Sequence, residues 1–162
     1  MHKFVFSIVF TSLISLSAFA DILNGRVVGV ADGDTVTILD SNNVQYKIRL
    51  MGIDAPEKSQ AFGRESKKNL SNLIFSKQVS VDWKKKDRYM RIVGKITLNG
   101  DDVCLAQVRS GLAWHYKQYE REQSLADRKL YADAEVMARR SRIGLWSDPS
   151  PIEPSKFRRG KR

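Results

Sequence analysis

Asp34, Arg49, Asp54 and Glu57 place three carboxylates and a guanidinium within one short stretch of the chain. Asp34 opens the run Thr35–Leu39, rich in β-branched residues. Arg49 lies near the end of a second run, residues 44–50, whose side chains alternate at a period of two. If these runs pair as an antiparallel hairpin, Asp34 and Asp54 meet at the same end. Two carboxylates about 4 Å apart repel by roughly 4 kcal/mol at an effective dielectric near 20, so their meeting requires a cation or a shared proton. With only oxygen ligands on offer, a hard ion such as Ca²⁺ or Mg²⁺ suits them. Arg49, placed inside a barrel, needs an anion, either a carboxylate or a bound phosphate.

Arg91 extends the set. It follows Asp87-Arg88-Tyr89-Met90, and its planar guanidinium can grip two phosphate oxygens at once. Two such groups beside a metal form a phosphoryl clamp. The other reading of Arg91 is an exposed charge continuing the basic run of residues 84–88. Lys and Arg number 28 against 18 Asp and Glu, a net charge of +10, which points to a polyanionic partner such as nucleic acid. A single cysteine closes no disulfide within the chain, and with two histidines it cannot furnish a Cys/His zinc site. A hydrophobic share of 42% excludes a disordered chain, and 162 residues are too few for two full domains.

The elements that must position these groups begin after an address. Residues 1–20 read as a signal peptide: a short basic start, an apolar run too short to span a bilayer, and the small-x-small pattern Ala18-Phe19-Ala20. This predicts export to a periplasm or the medium, with no stable membrane association after cleavage. Strands are expected at residues 26–30, 35–39, 44–50, 78–83 and 92–98. Helices are expected at residues 62–75, 103–110 (capped by Asp102) and 122–141. The first should turn Phe62, Leu70, Leu73 and Ile74 inward, and the last Leu130, Ala134, Met137 and Ala138. Three prolines make residues 148–155 an extended linker to a basic tail. The expected architecture is α+β, a five-stranded OB-type β-barrel with three helices in residues 21–146, followed by linker and tail in residues 147–162. His115 reads as surface or structural, Trp114 as core, and Cys104 as buried and inert.

Five segments then carry a resemblance. VGVADGDT (residues 28–35), RLMGIDAPE (49–57), DRYMR (87–91), GLAW (111–114) and GLW (144–146) resemble, in order, the motifs of the staphylococcal nuclease family. The resemblance covers residues 24–146. It implies an OB barrel with three helices and Ca²⁺-dependent hydrolysis of DNA and RNA to 3′-phosphorylated products. By motif position, it implies that Asp34, Asp54 and the backbone carbonyl of Ala55 hold the ion. Glu57 corresponds to the general base, or to a group that orders the attacking water. Arg49 and Arg91 correspond to the pair on the scissile phosphate, and Arg88 and Tyr89 to positions near the terminal phosphate. Tyr116 and Tyr119 lie where family tyrosines border the base. No protein partner is implied, and the chain is expected to be a monomer. Two departures stand out: a shorter segment after Glu57, and Met90 where glycine is usual, a strain if that position needs positive φ. The competing reading is a non-catalytic OB-fold protein that binds single-stranded nucleic acid.

Overall fold

The computed structural model describes residues 21–160. The expected signal peptide lies outside them. Along the chain run β1 (Asp21–Val30), β2 (Thr35–Leu39), β3 (Gln45–Leu50), β4 (Ile53–Asp54), α1 (Gly63–Ile74), β5 (Gln78–Lys86), β6 (Ile92–Leu98) and β7 (Asp101–Asp102). They are followed by α2 (Val103–Arg109), β8 (Trp114–His115), α3 (Leu125–Arg140) and α4 (Pro154–Arg159).

Alternation decides the barrel. Val36, Ile38, Ile48 and Leu50 point inward from β2 and β3 and are buried, as are Val27, Val81 and Ile96 from β1, β5 and β6. β1 pairs antiparallel with both β2 and β5, and β5 with β6. The circuit closes where β3 runs parallel to β6, with Ile48 opposite Ile92 and Arg49 opposite Val93. This closure gives the expected five-stranded OB-type barrel in an α+β fold. It also brings the segment before β6, which carries Arg91, to the end of the barrel that Arg49 approaches.

The helices seal the barrel. α1 lays Leu70 and Ile74 on it, and α2 adds Cys104 and Val108. Asp102 caps α2 as expected, accepting from the Leu105 N–H at 2.9 Å. The same carboxylate accepts from the Tyr131 hydroxyl at 2.8 Å, fastening α3 across α2.

That bond explains one correction. On α3, Leu130 and Met137 are 47% and 59% exposed, and the buried residues are Tyr131, Ala134, Glu135 and Ala138. The helix is rotated from its apolar stripe because two polar groups find partners as they are buried: Tyr131 on Asp102, and Glu135, which accepts from the His115 N–H at 3.3 Å and pairs with the exposed Lys117 at 2.9 Å. His115 is accordingly interior, 2.9 Å from Gln123 through Nε2, so of its two readings the structural one holds. Trp114 packs edge-on against Trp146 with centroids 4.4 Å apart. A second correction concerns the end of the chain. Beyond a 3₁₀ turn at Gly144–Ser147, residues 148–153 form no helix or strand, as a linker would, but residues 154–159 of the expected linker and tail form α4, with Pro154 in its first turn. Within residues 21–146 the described α-helices are the three expected, and α4 adds a fourth beyond them. None of these helices is long and apolar enough to cross a membrane.

Candidate active site

The β2–β3 register sets Thr35 opposite Arg49, and the Leu50 N–H donates to the Asp34 carbonyl at 2.8 Å. Asp34 is thereby fixed at the barrel rim. Its own N–H donates to Asp32 Oδ1 at 3.0 Å, closing a turn around Gly33. A side chain at Gly33 would collide with Ser66 of α1, so glycine lets the turn sit against that helix. Across the rim, β4 pairs with β8, Asp54 opposite Trp114. The Ala55 N–H donates to Asp34 Oδ2 at 2.7 Å, tying the two acidic segments together.

The acids converge as the hairpin argument requires. Arg49 Nη2 lies 3.2 Å from Asp34 Oδ2 and 3.1 Å from Asp54 Oδ1, while Nη1 donates to the Leu50 carbonyl at 2.8 Å. Asp34 is 6% exposed and Asp54 2%, so this guanidinium is their countercharge in a largely dry place. Burial pushes the Asp54 carboxyl above its ordinary value, against the opposing pull of Arg158 and Arg49. Asp32 is raised to about 6, first by burial and then by the charge of Asp34. Glu57 stands further out, its side chain 36% exposed.

A second guanidinium comes from the far end of the chain. Arg158 on α4 donates through Nη1 to Asp54 Oδ1 at 3.1 Å and Glu57 Oε1 at 2.8 Å, and through Nη2 to Asp54 Oδ2 at 3.0 Å. These carboxylates raise its pKa despite the opposing effect of burial. Arg158 and Asp32 are the site members that the sequence reading missed. Nothing in residue type marks Asp32 for burial beside Asp34, and Arg158 sits 101 residues from Glu57 with no periodicity to connect them.

Arg91 is held apart from the acids. Asp87 grips its Nε and Nη2 at 2.7 Å each, and only a 3.4 Å contact from Nη1 to Thr35 Oγ1 leads towards Asp34, which Thr35 also contacts at 3.1 Å. Burial raises the Asp87 carboxyl, but the bonds from Arg91 outweigh it and the net shift is downward. Met90 takes φ +62°, the left-handed value that favours glycine. Tyr89 is 62% exposed, with the Arg88 guanidinium 4.9 Å from its ring. Tyr116 and Tyr119 meet edge-on at 4.9 Å. The Tyr116 N–H donates to the Gly52 carbonyl at 2.9 Å, and its phenol is raised by burial and by the charge of Asp54. The Tyr116 ring thereby stands near Asp54, with Tyr119 packed against it.

The donor chemistry fits a hard cation. Oxygens of Asp34 and Asp54 both contact a single nitrogen of Arg49, so one small positive centre can serve both. Among the described residues no three Asp, Glu, His or Cys side chains already stand close enough to hold an ion together. Guanidiniums link the acids instead, Arg49 between Asp34 and Asp54, and Arg158 between Asp54 and Glu57.

The chain is similar to known proteins along most of its length. An uncharacterized endonuclease of Haemophilus influenzae is 46% identical over 134 residues, spanning 83% of this chain and 72% of its own length. A micrococcal nuclease of Shigella flexneri is 37% identical over 159 residues, spanning 93% of this chain and 88% of its own. An uncharacterized endonuclease of Escherichia coli is 40% identical over 140 residues, 86% of this chain and 87% of its own. Residues 47–148 match the family model described as staphylococcal nuclease homologue, a span that takes in Arg49, Asp54, Glu57 and Arg91 and ends before α4. The chain belongs to the staphylococcal nuclease family.

Proposed function

We propose that the protein is an exported, calcium-dependent, sugar-nonspecific nuclease that hydrolyses phosphodiester bonds of DNA and RNA and leaves 3′-phosphates. The observation that carries this reading is the meeting of Asp34 and Asp54 on one guanidinium nitrogen at the barrel rim, with Glu57 adjoining. A surface that only binds a polyanion gains nothing from clustered acids, which repel phosphate. That weighs against the non-catalytic single-strand binder. Endonuclease and micrococcal nuclease relatives support the hydrolytic class.

Asp34, Asp54 and the Ala55 carbonyl would hold Ca²⁺. When bound, the ion polarises the phosphoryl oxygen as a Lewis acid. Arg49, already buried and fixed by the Leu50 carbonyl, meets negative charge as it develops on the phosphoryl group. Arg91 joins it on exchanging Asp87 for phosphate. Glu57, the most open of the three acids, takes a proton from the attacking water or orders it. Arg88 and Tyr89 receive the terminal phosphate, and Tyr116 and Tyr119 offer faces on which bases of any identity stack. Export follows from residues 1–20, and the protein acts as a monomer in a periplasm or outside the cell.

The test is a digestion assay on single- and double-stranded DNA and RNA, with Ca²⁺ or with chelator. Cleavage of both sugars that stops in chelator is expected. Full activity in chelator removes the ion from the reaction, and binding without cleavage under all conditions returns the protein to the binder class.

A further inference from the structure

We infer that Arg158 is a tethered cation that competes with the divalent ion for Asp54 while also occupying Glu57, making ion binding and release of α4 a single equilibrium. The inference rests on the calcium reading above and concerns a residue beyond the matched family span. The geometry is that of a plug. Arg158 engages both oxygens of Asp54 and one of Glu57, a forked contact that an ammonium could not reproduce. Asp54 Oδ1 also serves Arg49, so neither oxygen of this carboxylate is without a cationic donor. Calcium takes its oxygens at about 2.3–2.6 Å, and a second positive group on the same oxygens opposes it. Ion and guanidinium cannot both be satisfied there.

The segment carrying Arg158 is built to dock and to leave. α4 spans six residues, well under the roughly 12–15 at which an isolated helix becomes even marginally stable, so contacts to the body hold it. Gln60 Nε2 donates to the Ile152 carbonyl at 2.6 Å, Pro154 is buried, and Phe157 lines a cavity of about 120 Å³ with Pro56, Phe62 and Trp114. Gln60 also accepts from the Glu57 N–H at 3.1 Å, so the docking point and the metal loop are one hydrogen-bonded unit. Displacing Arg158 removes the charged half of the anchorage.

Two measurements on the full chain test this. Calorimetric titration with CaCl₂ compares wild type, Arg158→Gln and Arg159→Gln, the last removing an equal charge from the exposed side of the same helix. If the docked form is about 90% populated, Arg158→Gln should bind Ca²⁺ about tenfold tighter, and Arg159→Gln within about twofold of wild type. Hydrogen exchange on unaltered protein should show the amides of residues 155–159 exchanging faster in saturating Ca²⁺ than in chelator. Equal affinities for wild type and Arg158→Gln, an equal gain in Arg159→Gln, or exchange indifferent to Ca²⁺ each overturn the inference and leave the calcium reading standing. No Ca²⁺ binding by any of the three proteins overturns both.

Discussion

Replacing Arg49 with methionine is expected to move three measurable quantities in different directions. The side chain is 13% exposed and lies 3.2 Å and 3.1 Å from two buried carboxylates. At an effective dielectric near 20, each contact represents roughly 5 kcal/mol of gross attraction. Desolvation cancels much of that, and removing one partner of a buried pair costs about 3–5 kcal/mol net. Denaturant unfolding in chelator should therefore show Arg49→Met destabilised by about that amount. Calcium should reverse part of it, because the ion supplies countercharge to the same acids with one competing cation fewer. Tenfold tighter Ca²⁺ binding in the variant returns about 1.4 kcal/mol at saturation, so the deficit should shrink by that much.

Turnover should move the other way, falling at least about 10²-fold even in saturating Ca²⁺, because in the proposed mechanism Arg49 is the donor aimed at developing charge. Two results would refute the reasoning. A loss below about 1 kcal/mol in chelator is the value of an exposed ion pair, and would mean that Arg49 does not neutralise these acids. A deficit that Ca²⁺ leaves untouched would mean that ion and guanidinium do not serve the same carboxylates.

Glu57→Gln, at a half-open position, should lower turnover by about 10²- to 10⁴-fold while nucleotide affinity and unfolding free energy stay near wild type; parallel losses in rate and affinity argue against a proton-transfer role. Met90 is 71% exposed at φ +62°, so Met90→Gly gives up little packing and should leave stability unchanged or raise it by up to about 1 kcal/mol in denaturant melts, whereas Met90→Val should lower it. Cys104 is fully buried with its thiol pushed up to about 12, and should resist thiol reagents at pH 8 until the protein is unfolded. Asp32, raised to about 6 from 3.8, keeps its proton longer in the native state than in the unfolded chain, so metal-free wild type should lose stability between those pH values as pH rises. Asp32→Asn keeps the turn acceptor; it should gain at most about 3 kcal/mol over wild type above pH 6, with no difference below pH 4.

Where register converts distance along the chain into distance in space, the sequence was legible. β2 is found at the residues that β-branching marks, and pairing Thr35 with Arg49 is enough to bring Asp34 and Asp54 to one end. β4 and β8 are two residues each and carry no periodicity, yet their pairing orients Asp54. On α3 Ala134 and Ala138 face inward as expected but Leu130 and Met137 do not, because hydrogen bonds to Asp102 and from His115 outweigh the apolar stripe, and such bonds depend on residues far off in sequence. Arg91 shows a different limit. Its place before β6 follows from the chain, but the direction of its guanidinium is set by the Asp87 carboxylate and by a left-handed backbone at Met90. Neither follows from residue type alone.

The charge at the rim explains why a site for a polyanion can afford three acids. As the structure stands, Asp34, Asp54 and Glu57 face two guanidiniums, leaving one net negative charge before Asp32 is counted. A phosphodiester approaching that surface is repelled. A divalent ion taking the place of Arg158 brings the same three acids and Arg49 to neutrality and frees a guanidinium beside the opening. Arg91, held by Asp87 and 3.4 Å from Thr35, is a second cation that an incoming phosphate can engage. Its present partner, Asp87, is a half-buried carboxylate in its own turn that takes both Nε and Nη2 on one oxygen, whereas phosphate offers two oxygens to the same fork. Substrate attraction should therefore depend on the ion even where no bond is cut. A non-hydrolysable dinucleotide should bind more weakly in chelator than in Ca²⁺, and that difference should narrow in Arg158→Gln only if the tethered guanidinium contributes to the attraction once displaced.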